Sequence, residues 1–230
     1  MKYNTLKKAF INTIPVMAGY VVLAIGFGIL LNSKGYSIWW SLAMSVFIYA
    51  GSMQYLAIDL LTGGASLITT AITTIMVNGR HLFYGISMID KYKNTGFKKP
   101  YLIFALTDET YSLNCSKPPE DIENKSLYFL LVSIFNHCYW IVGTVIGSIL
   151  GNIIPFNTKG IDFALTALFI TIFVEQYKSS KNHAPNIIGI VCSLICLLIF
   201  KASNFLIPTM ILITFVLTAL RYFNRGGDNG

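Results

Sequence analysis

Residues 126–158 read SLYFLLVSIFNHCYWIVGTVIGSILGNIIPFNT, thirty-three positions without one Asp, Glu, Lys or Arg. A helix needs about 20 apolar residues to cross the hydrocarbon of a bilayer, so this run can span it with a turn or more to spare. Uncharged windows recur at 9–33, 35–58, 60–79, 184–200 and 202–220. Together they predict an all-α polytopic membrane protein with six to eight membrane segments. A transmembrane barrel would instead alternate apolar and polar residues in segments of about ten. Ile187–Phe200 is apolar on every face.

The composition excludes other classes. Of 230 residues, 54% are hydrophobic and 12% charged, against about 25% charged in a soluble domain; a soluble enzyme is ruled out. The net charge of +7 comes from basic residues in short loops, which fits topology signals and not a nucleic-acid surface. Cys115, Cys138, Cys192 and Cys196 have no metal-ligand spacing; no metal or other cofactor is expected. Lys2, Lys7 and Lys8 precede an apolar run too long for a signal peptide and without a small-residue cleavage site, which predicts a retained first span. The apolar segments run at Phe10–Leu31, Ser37–Leu61, Ser66–Ile89, Leu127–Leu150, Ile161–Val174, Pro185–Phe200 and Asn204–Leu220. With no linker between them, residues 1–230 read as a single integral membrane domain. Tyr101–Leu113 is too short to span unless it belongs to a broken or re-entrant element.

Lys and Arg favour the cytoplasmic side, so topologies can be scored by counting. With the N-terminus inside and every segment through Ile89 crossing once, a crossing by Tyr101–Leu113 puts nine basic residues inside and seven outside; without it the split is five to eleven. If Ser37–Ile89 crosses a net single time, thirteen lie inside and only Lys34, Lys159 and Lys201 outside, with Arg80 set aside as intramembrane. Both termini are then cytoplasmic. The count favours irregular packing between Ser37 and Ile89, and broken helices at membrane depth are tolerated where they line a cavity or are buried in protein. Two plain helices with an imperfect charge bias are the alternative. A weak repeat runs alongside: Gly28–Asn32, Lys34-Gly35 and Gln54-Tyr55 parallel Gly147–Asn152, Lys159-Gly160 and Gln176-Tyr177.

The polar residues within apolar sequence are the candidate site. Arg80 stands out because the chain has three arginines against fourteen lysines, and the other two, Arg221 and Arg225, lie in the basic tail. An intramembrane guanidinium is expensive and persists where it faces protein interior or a ligand. Its planar fork suits a substrate carboxylate or an intramembrane acid such as Asp108; snorkelling to the headgroups is the plainer alternative. Asp108 and Glu109 can accept an ammonium group, pair with Arg80 or carry a coupling proton, and adjacent helical positions point about 100° apart, so one of them is expected to face inward. His81 can relay a proton or mark a helix end. Ser45, Gln54 and Asn78 are the neutral polar candidates, while Asp59 and Glu175 read as boundary residues. His137 and His183 are isolated. Gly143-x-x-x-Gly147 supplies a small face for close helix packing. Trp39, Trp40 and Trp140 read as interfacial anchors.

These motifs resemble a family in their order. Phe27-Gly28-x-Leu30, Ser45 with Ala50-Gly51-x-x-Gln54, Asn78-x-Arg80-His81-x-x-Tyr84-Gly85, Thr107-Asp108-Glu109, Trp140-x-x-Gly143 and Asp162-Phe163-Ala164-x-x-Ala167-x-Phe169 are similar to those of the AzlC-type branched-chain amino-acid transporters. The resemblance implies a permease of the bacterial cytoplasmic membrane that exports leucine, isoleucine, valine and sometimes methionine with a small AzlD-type membrane subunit. A zwitterionic amino acid needs a cation for its carboxylate, an acceptor for its ammonium and an apolar pocket. Arg80, with Gln54, Asn78 and Ser45, fits the first task; Asp108, Glu109 and His81 fit ammonium binding or proton coupling. No ATP-binding loop is present, which leaves secondary transport. An intramembrane enzyme using His81 with Asp108 or Glu109, and a non-transporting scaffold or sensor, are the competing classes.

Overall fold

The computed structural model describes residues 2–153 and 182–227, with scattered positions between 166 and 178. Every regular element among them is helical: α1 (Lys2–Ser33), α2 (Ile38–Phe47), α3 (Gly51–Thr62), α4 (Leu67–Met88), α5 (Lys99–Phe104, entered through a 3-10 turn at Gly96–Lys98), α6 (Asp108–Cys115), α7 (Lys125–Ile153), α8 (Ala184–Asn204) and α9 (Leu206–Gly227). Most of the predicted segment Ile161–Val174, the Lys159-Gly160 and Gln176 part of the repeat and the Asp162-Phe163-Ala164 motif lie outside the described residues. The chain divides into two compact units, Met1–Leu168 and Phe169–Gly230.

In the first unit α1 and α7 form the centre, both long and apolar enough to cross a membrane. Their contacts advance together along the chain: Asn12 Nδ2 donates to Tyr128 Oη at 2.8 Å, and Asn32 Nδ2 to Asn152 Oδ1 at 3.1 Å. The helices therefore run parallel. Between these contacts the backbones touch. A methyl group added at Gly28 would lie 2.2 Å from the Thr144 carbonyl oxygen, and one at Gly147 would lie 2.1 Å from that of Ile25. Gly143 meets Val21 and Ala24 in the same way, as expected of a small-residue stripe. The two halves of the sequence repeat, Gly28–Asn32 and Gly147–Asn152, thus lie side by side, an arrangement that suits a parallel repeat.

α2 runs against α7 through paired hydroxyls. Ser41 Oγ donates to Ser148 Oγ at 3.2 Å and Ser45 Oγ to Thr144 Oγ1 at 3.0 Å. The predicted span Ser37–Leu61 is broken into α2 and α3 across Ile48–Ala50, where Tyr49 has φ +43°. A non-glycine residue in that region is strained. Tyr101–Leu113 is broken likewise, since α5 stops at Phe104 and α6 restarts at Asp108. Thr107 caps α6, its hydroxyl accepting from the Thr110 N–H, and the two acids after it sit in the first turn, where the helix dipole favours negative charge.

Large apolar side chains project outward, including Leu67, Ile68, Ile75, Leu82 and Phe83 of α4, each at least 69% exposed. Water would disfavour such a face and lipid does not. Trp39 and Trp40 are also exposed, as interfacial anchors would be, but Trp140 is 3% exposed and packs on Gly51 and Tyr20. Trp140 is a core residue because the missing Gly51 side chain makes room for its ring. Asp59 is exposed; Glu175 lies outside the described residues. In the second unit α8 and α9 pack on each other across a one-residue break at Phe205, with Cys192 and Cys196 buried.

At the polar end of α1, Lys8 and Asn4 bind Asp121. The hydrogen bonds from Lys8 and then Asn4 hold its exposed carboxyl below the ordinary value of 3.8. A depressed carboxylate stabilises the fold above its unfolded pKa and loses that contribution as pH falls through the folded value. The melting temperature of Asp121→Asn in detergent should therefore lie slightly below wild type at neutral pH and converge with it in acid, once pH has fallen through the depressed folded pKa. The difference stays small and shrinks in high salt because the pair is exposed.

Candidate functional site

Three polar clusters meet around the two helix breaks. The first joins α3, α4 and α6. Arg80 Nη2 donates to Asp108 Oδ2 at 2.8 Å and to Ser52 Oγ at 2.9 Å. Tyr84 Oη donates to the other Asp108 oxygen at 2.6 Å. Arg80, Tyr84 and Ser87 recur at steps of four and three on one face of α4, and Lys91 follows in the turn after it, so α4 and its exit clasp α6 along its length. Tyr84 stacks on Tyr111 with ring centroids 4.4 Å apart, Ser87 Oγ donates to Tyr111 Oη, and Lys91 binds the last carbonyls of α6.

The guanidinium is only partly used. One nitrogen, Nη2, makes both protein contacts, and Nε is buried with no partner. Asp108 holds Arg80 by a single point, not by the two-pronged grip that guanidinium and carboxylate can form. The pair is about a quarter exposed, at 24% and 27% for the two side chains, so neither group is sealed away. Asn78 Oδ1, one half-turn earlier on α4, is also buried without a partner.

The second cluster holds Glu109, which leaves α6 in another direction. Tyr20 Oη on α1 donates to Glu109 Oε2 at 2.6 Å and lies 2.6 Å from Thr107 Oγ1. Thr107 Oγ1 contacts Thr110 Oγ1, which accepts from Asn136 Nδ2 on α7 at 3.1 Å. A file of hydroxyls thus links the Glu109 carboxylate to Asn136, with no cation bonded to it among the described residues.

Ser45 and Gln54 belong to the third cluster. Gln54 Nε2 points to Ser45 Oγ at 3.5 Å, while the Ser45 carbonyl contacts His137 Nε2 at 3.1 Å and His137 Nδ1 contacts Tyr101 Oη at 3.1 Å. His137 is therefore a buried junction between α2, α5 and α7, where the sequence reading left it isolated. Tyr49, at the strained break, stacks on His137 with centroids 4.2 Å apart and sits 6.3 Å from the Phe104 ring at the other break. Gln54 Oε1, Asn136 Oδ1 and Trp140 Nε1 are all buried and unpartnered. Unpaired groups at this depth are costly and mark a place where a polar ligand or water can bind.

Each residue proposed from sequence has a definite place. Arg80 and Asp108 meet; Glu109 stands in a separate cluster; Ser45 and Gln54 share the third. His81 contacts only the carbonyl of Asn78 in its own helix, at 3.2 Å, and the edge of Tyr84; it bonds to neither acid. Tyr20, Tyr49, Asn136 and Thr144 were not singled out, whereas Ser52 is one of the polar residues of the Ser37–Ile89 stretch. For the α7 members a signal was present: Asn136, Trp140, Thr144 and Ser148 recur every four residues and form one polar stripe on an otherwise apolar helix.

Comparison with known proteins identifies the family. The family model described as AzlC protein matches residues 15–154, which include all three clusters. A Bacillus subtilis protein named branched-chain amino acid transport protein AzlC is 44% identical over 95% of this chain and 86% of its own length. An uncharacterized membrane protein of Helicobacter pylori is 42% identical over 95% of this chain and 96% of its own length. Inner membrane protein YgaZ of Escherichia coli is 27% identical over 74% of this chain and 73% of its own length. No solved structure matches. With a matching family model over most of its length and close relatives along nearly all of it, this all-α membrane protein belongs to the AzlC family.

Proposed function

We propose that the chain is a secondary transporter of branched-chain amino acids in the bacterial cytoplasmic membrane, inserted as a multi-pass protein with both termini cytoplasmic. The name of the Bacillus subtilis relative supports the substrate class. The observation that carries the reading is the half-used guanidinium of Arg80, open to a second carboxylate and held by Asp108 through one nitrogen. A substrate carboxylate can take the free side of the fork and displace Asp108, which then stays with Tyr84. Asn78, Gln54 and Ser45 supply neutral polar contacts, and the unpaired oxygens of Gln54 and Asn136 can accept from the ammonium. Met44 and Met53 are buried beside them and suit an aliphatic side chain, whereas Phe47 is 77% exposed. His81, bonded only to its own helix, has a secondary role in orienting Tyr84.

Glu109 is the proton carrier in this reading. It faces hydroxyls and no cation, so gaining a proton leaves no bonded positive group unpaired, and the Tyr20–Thr107–Thr110 file offers a route for that proton. The direction is export, with a small AzlD-type subunit as partner. No catalytic role is assigned to any residue.

The decisive measurement is uptake or release of labelled leucine by proteoliposomes holding the chain with an AzlD-type partner, with and without a pH gradient. Saturable flux driven by the gradient is expected, and flux no greater than in empty liposomes would overturn the reading. Glu109→Gln should lose the response to the gradient while leucine counterflow persists. Equal gradient dependence in Glu109→Gln and wild type would remove Glu109 from the coupling role.

A further inference from the structure

The loops at one polar end carry a positive concavity that transport does not use. A pocket of about 470 Å³ lies between the loop after α4 and the start of α7, with Lys91, Lys117 and Lys125 on its walls beside Thr95, Ser126 and Phe129. Lys98 reaches the same rim, its Nζ donating to Ser126 Oγ at 3.3 Å. The two ion pairs among the described residues, Lys8–Asp121 and Arg80–Asp108, include none of these lysines. Lys91 is partly committed to the end of α6, whereas the side chains of Lys117 and Lys125 have no hydrogen bond or ion pair among the described residues. No acid lines this pocket among the described residues. Asp121 is held by Lys8 and Asn4, and with Glu123 it lines an adjoining concavity on the other side of Lys125, with Asn4 and Thr5.

Several like charges around one hollow repel each other unless an anion sits between them. The position of the hollow identifies the anion. Phe97 is wholly exposed, flanked by Gly96, which has φ +56°, and by Lys98 and Lys99. A bare phenyl ring beside lysines is costly in water and favourable at the boundary between headgroups and acyl chains. With Phe97 seated there, the lysine pocket lies at headgroup level, where polybasic sites meet anionic lipid, and Phe129 gives it one apolar wall.

We propose that this pocket binds the phosphate of an anionic phospholipid, with Lys117 and Lys125 as its principal contacts. The site is independent of the transport reading. The test uses detergent-purified full-length protein and the variant Lys117→Gln/Lys125→Gln, with Lys7→Gln/Lys34→Gln as a control of equal charge loss. Phosphatidylglycerol, phosphatidylcholine and inorganic phosphate are each titrated, with lipid adducts counted by native mass spectrometry and melting temperature followed in parallel. Wild type and control should retain one phosphatidylglycerol in preference to phosphatidylcholine, and the pocket variant should bind it about tenfold more weakly or worse. Equal retention by the pocket variant and wild type would overturn the proposal, as would an equal loss in the control. A melting shift reproduced in full by inorganic phosphate, with nothing added by the lipid, would overturn the lipid as the source. Melting temperature without additives identifies a variant that has merely failed to fold.

Discussion

Arg80→Lys should lower leucine efflux from dipeptide-loaded cells by about ten- to a hundredfold at unchanged membrane abundance, a loss of the size expected when a bound group is misplaced by about an ångström. The substitution keeps the charge, so a lysine ammonium can still reach Asp108 and preserve the contact between α4 and α6. What it removes is the second edge of the fork, which a compact ammonium cannot reproduce. In the structure neither edge is gripped at both nitrogens among the described residues: Nη2 serves both Asp108 and Ser52, and Nε is buried alone. Asp108→Asn separates the roles further. It leaves Arg80 free of its competitor, so leucine should bind at least as tightly while turnover falls, because nothing reclaims the guanidinium when substrate leaves. A purely structural pair predicts a different pattern. Both variants would then lose abundance together while efflux per molecule stayed at the wild-type level, and that result would end the carboxylate assignment.

The features around Arg80 divide sharply by how far sequence reasoning could see. Charge scarcity exposed Arg80, Asp108 and Glu109 because a charge in apolar sequence stands out regardless of fold. The length of Tyr101–Leu113 marked a broken element, since thirteen residues cannot cross. For the break at Ile48–Ala50 the sequence offers irregularity between Ser37 and Ile89, with Gly51, Gly63, Gly64 and Gly79 as possible breaks. Its position has no proline, and Gly51 follows it; the strained residue is Tyr49, a poor candidate for positive φ by its own preferences. Tertiary packing against His137 and Phe104 holds that conformation, and packing partners more than 50 residues away are invisible to local patterns. The same limit hid the separation of Asp108 from Glu109. Helical geometry predicted different directions for the two, but only α1 and its Tyr20 reveal that Glu109 also has a buried partner. Trp140 and His137 were misread for a related reason: an aromatic or imidazole in an apolar run has no signature that distinguishes a membrane boundary from a helix crossing.

Gly147→Leu should all but eliminate folded protein from the membrane, and Gly147→Ala should lower its stability in detergent by about 1–3 kcal/mol, the range for overpacking a filled interior. The obstruction is backbone, not a flexible side chain. A methyl group at Gly147 would meet the Ile25 carbonyl oxygen at 2.1 Å and its Cα at 2.7 Å, so neither helix can yield by changing a rotamer, and α1 and α7 must move apart. That movement reaches the polar clusters, because Tyr20 on α1 bonds to Glu109 and Asn136 and Thr144 on α7 bond to Thr110 and Ser45. Gly147→Ala should therefore weaken the gradient response of whatever protein survives, beyond its loss of abundance. Gly19→Ala, on the facing helix α1, provides the contrast. Nothing lies within 4 Å of the added methyl there, and alanine is the better helix former by about 0.8–1 kcal/mol in water, so stability should hold or rise. Apolar surface is not scarce in lipid, and helix association there rests on close packing and a few hydrogen bonds. Equal stability of the two alanine variants would mean that the α1–α7 crossing is not tight, and the polar clusters would then need some other element to hold them in register.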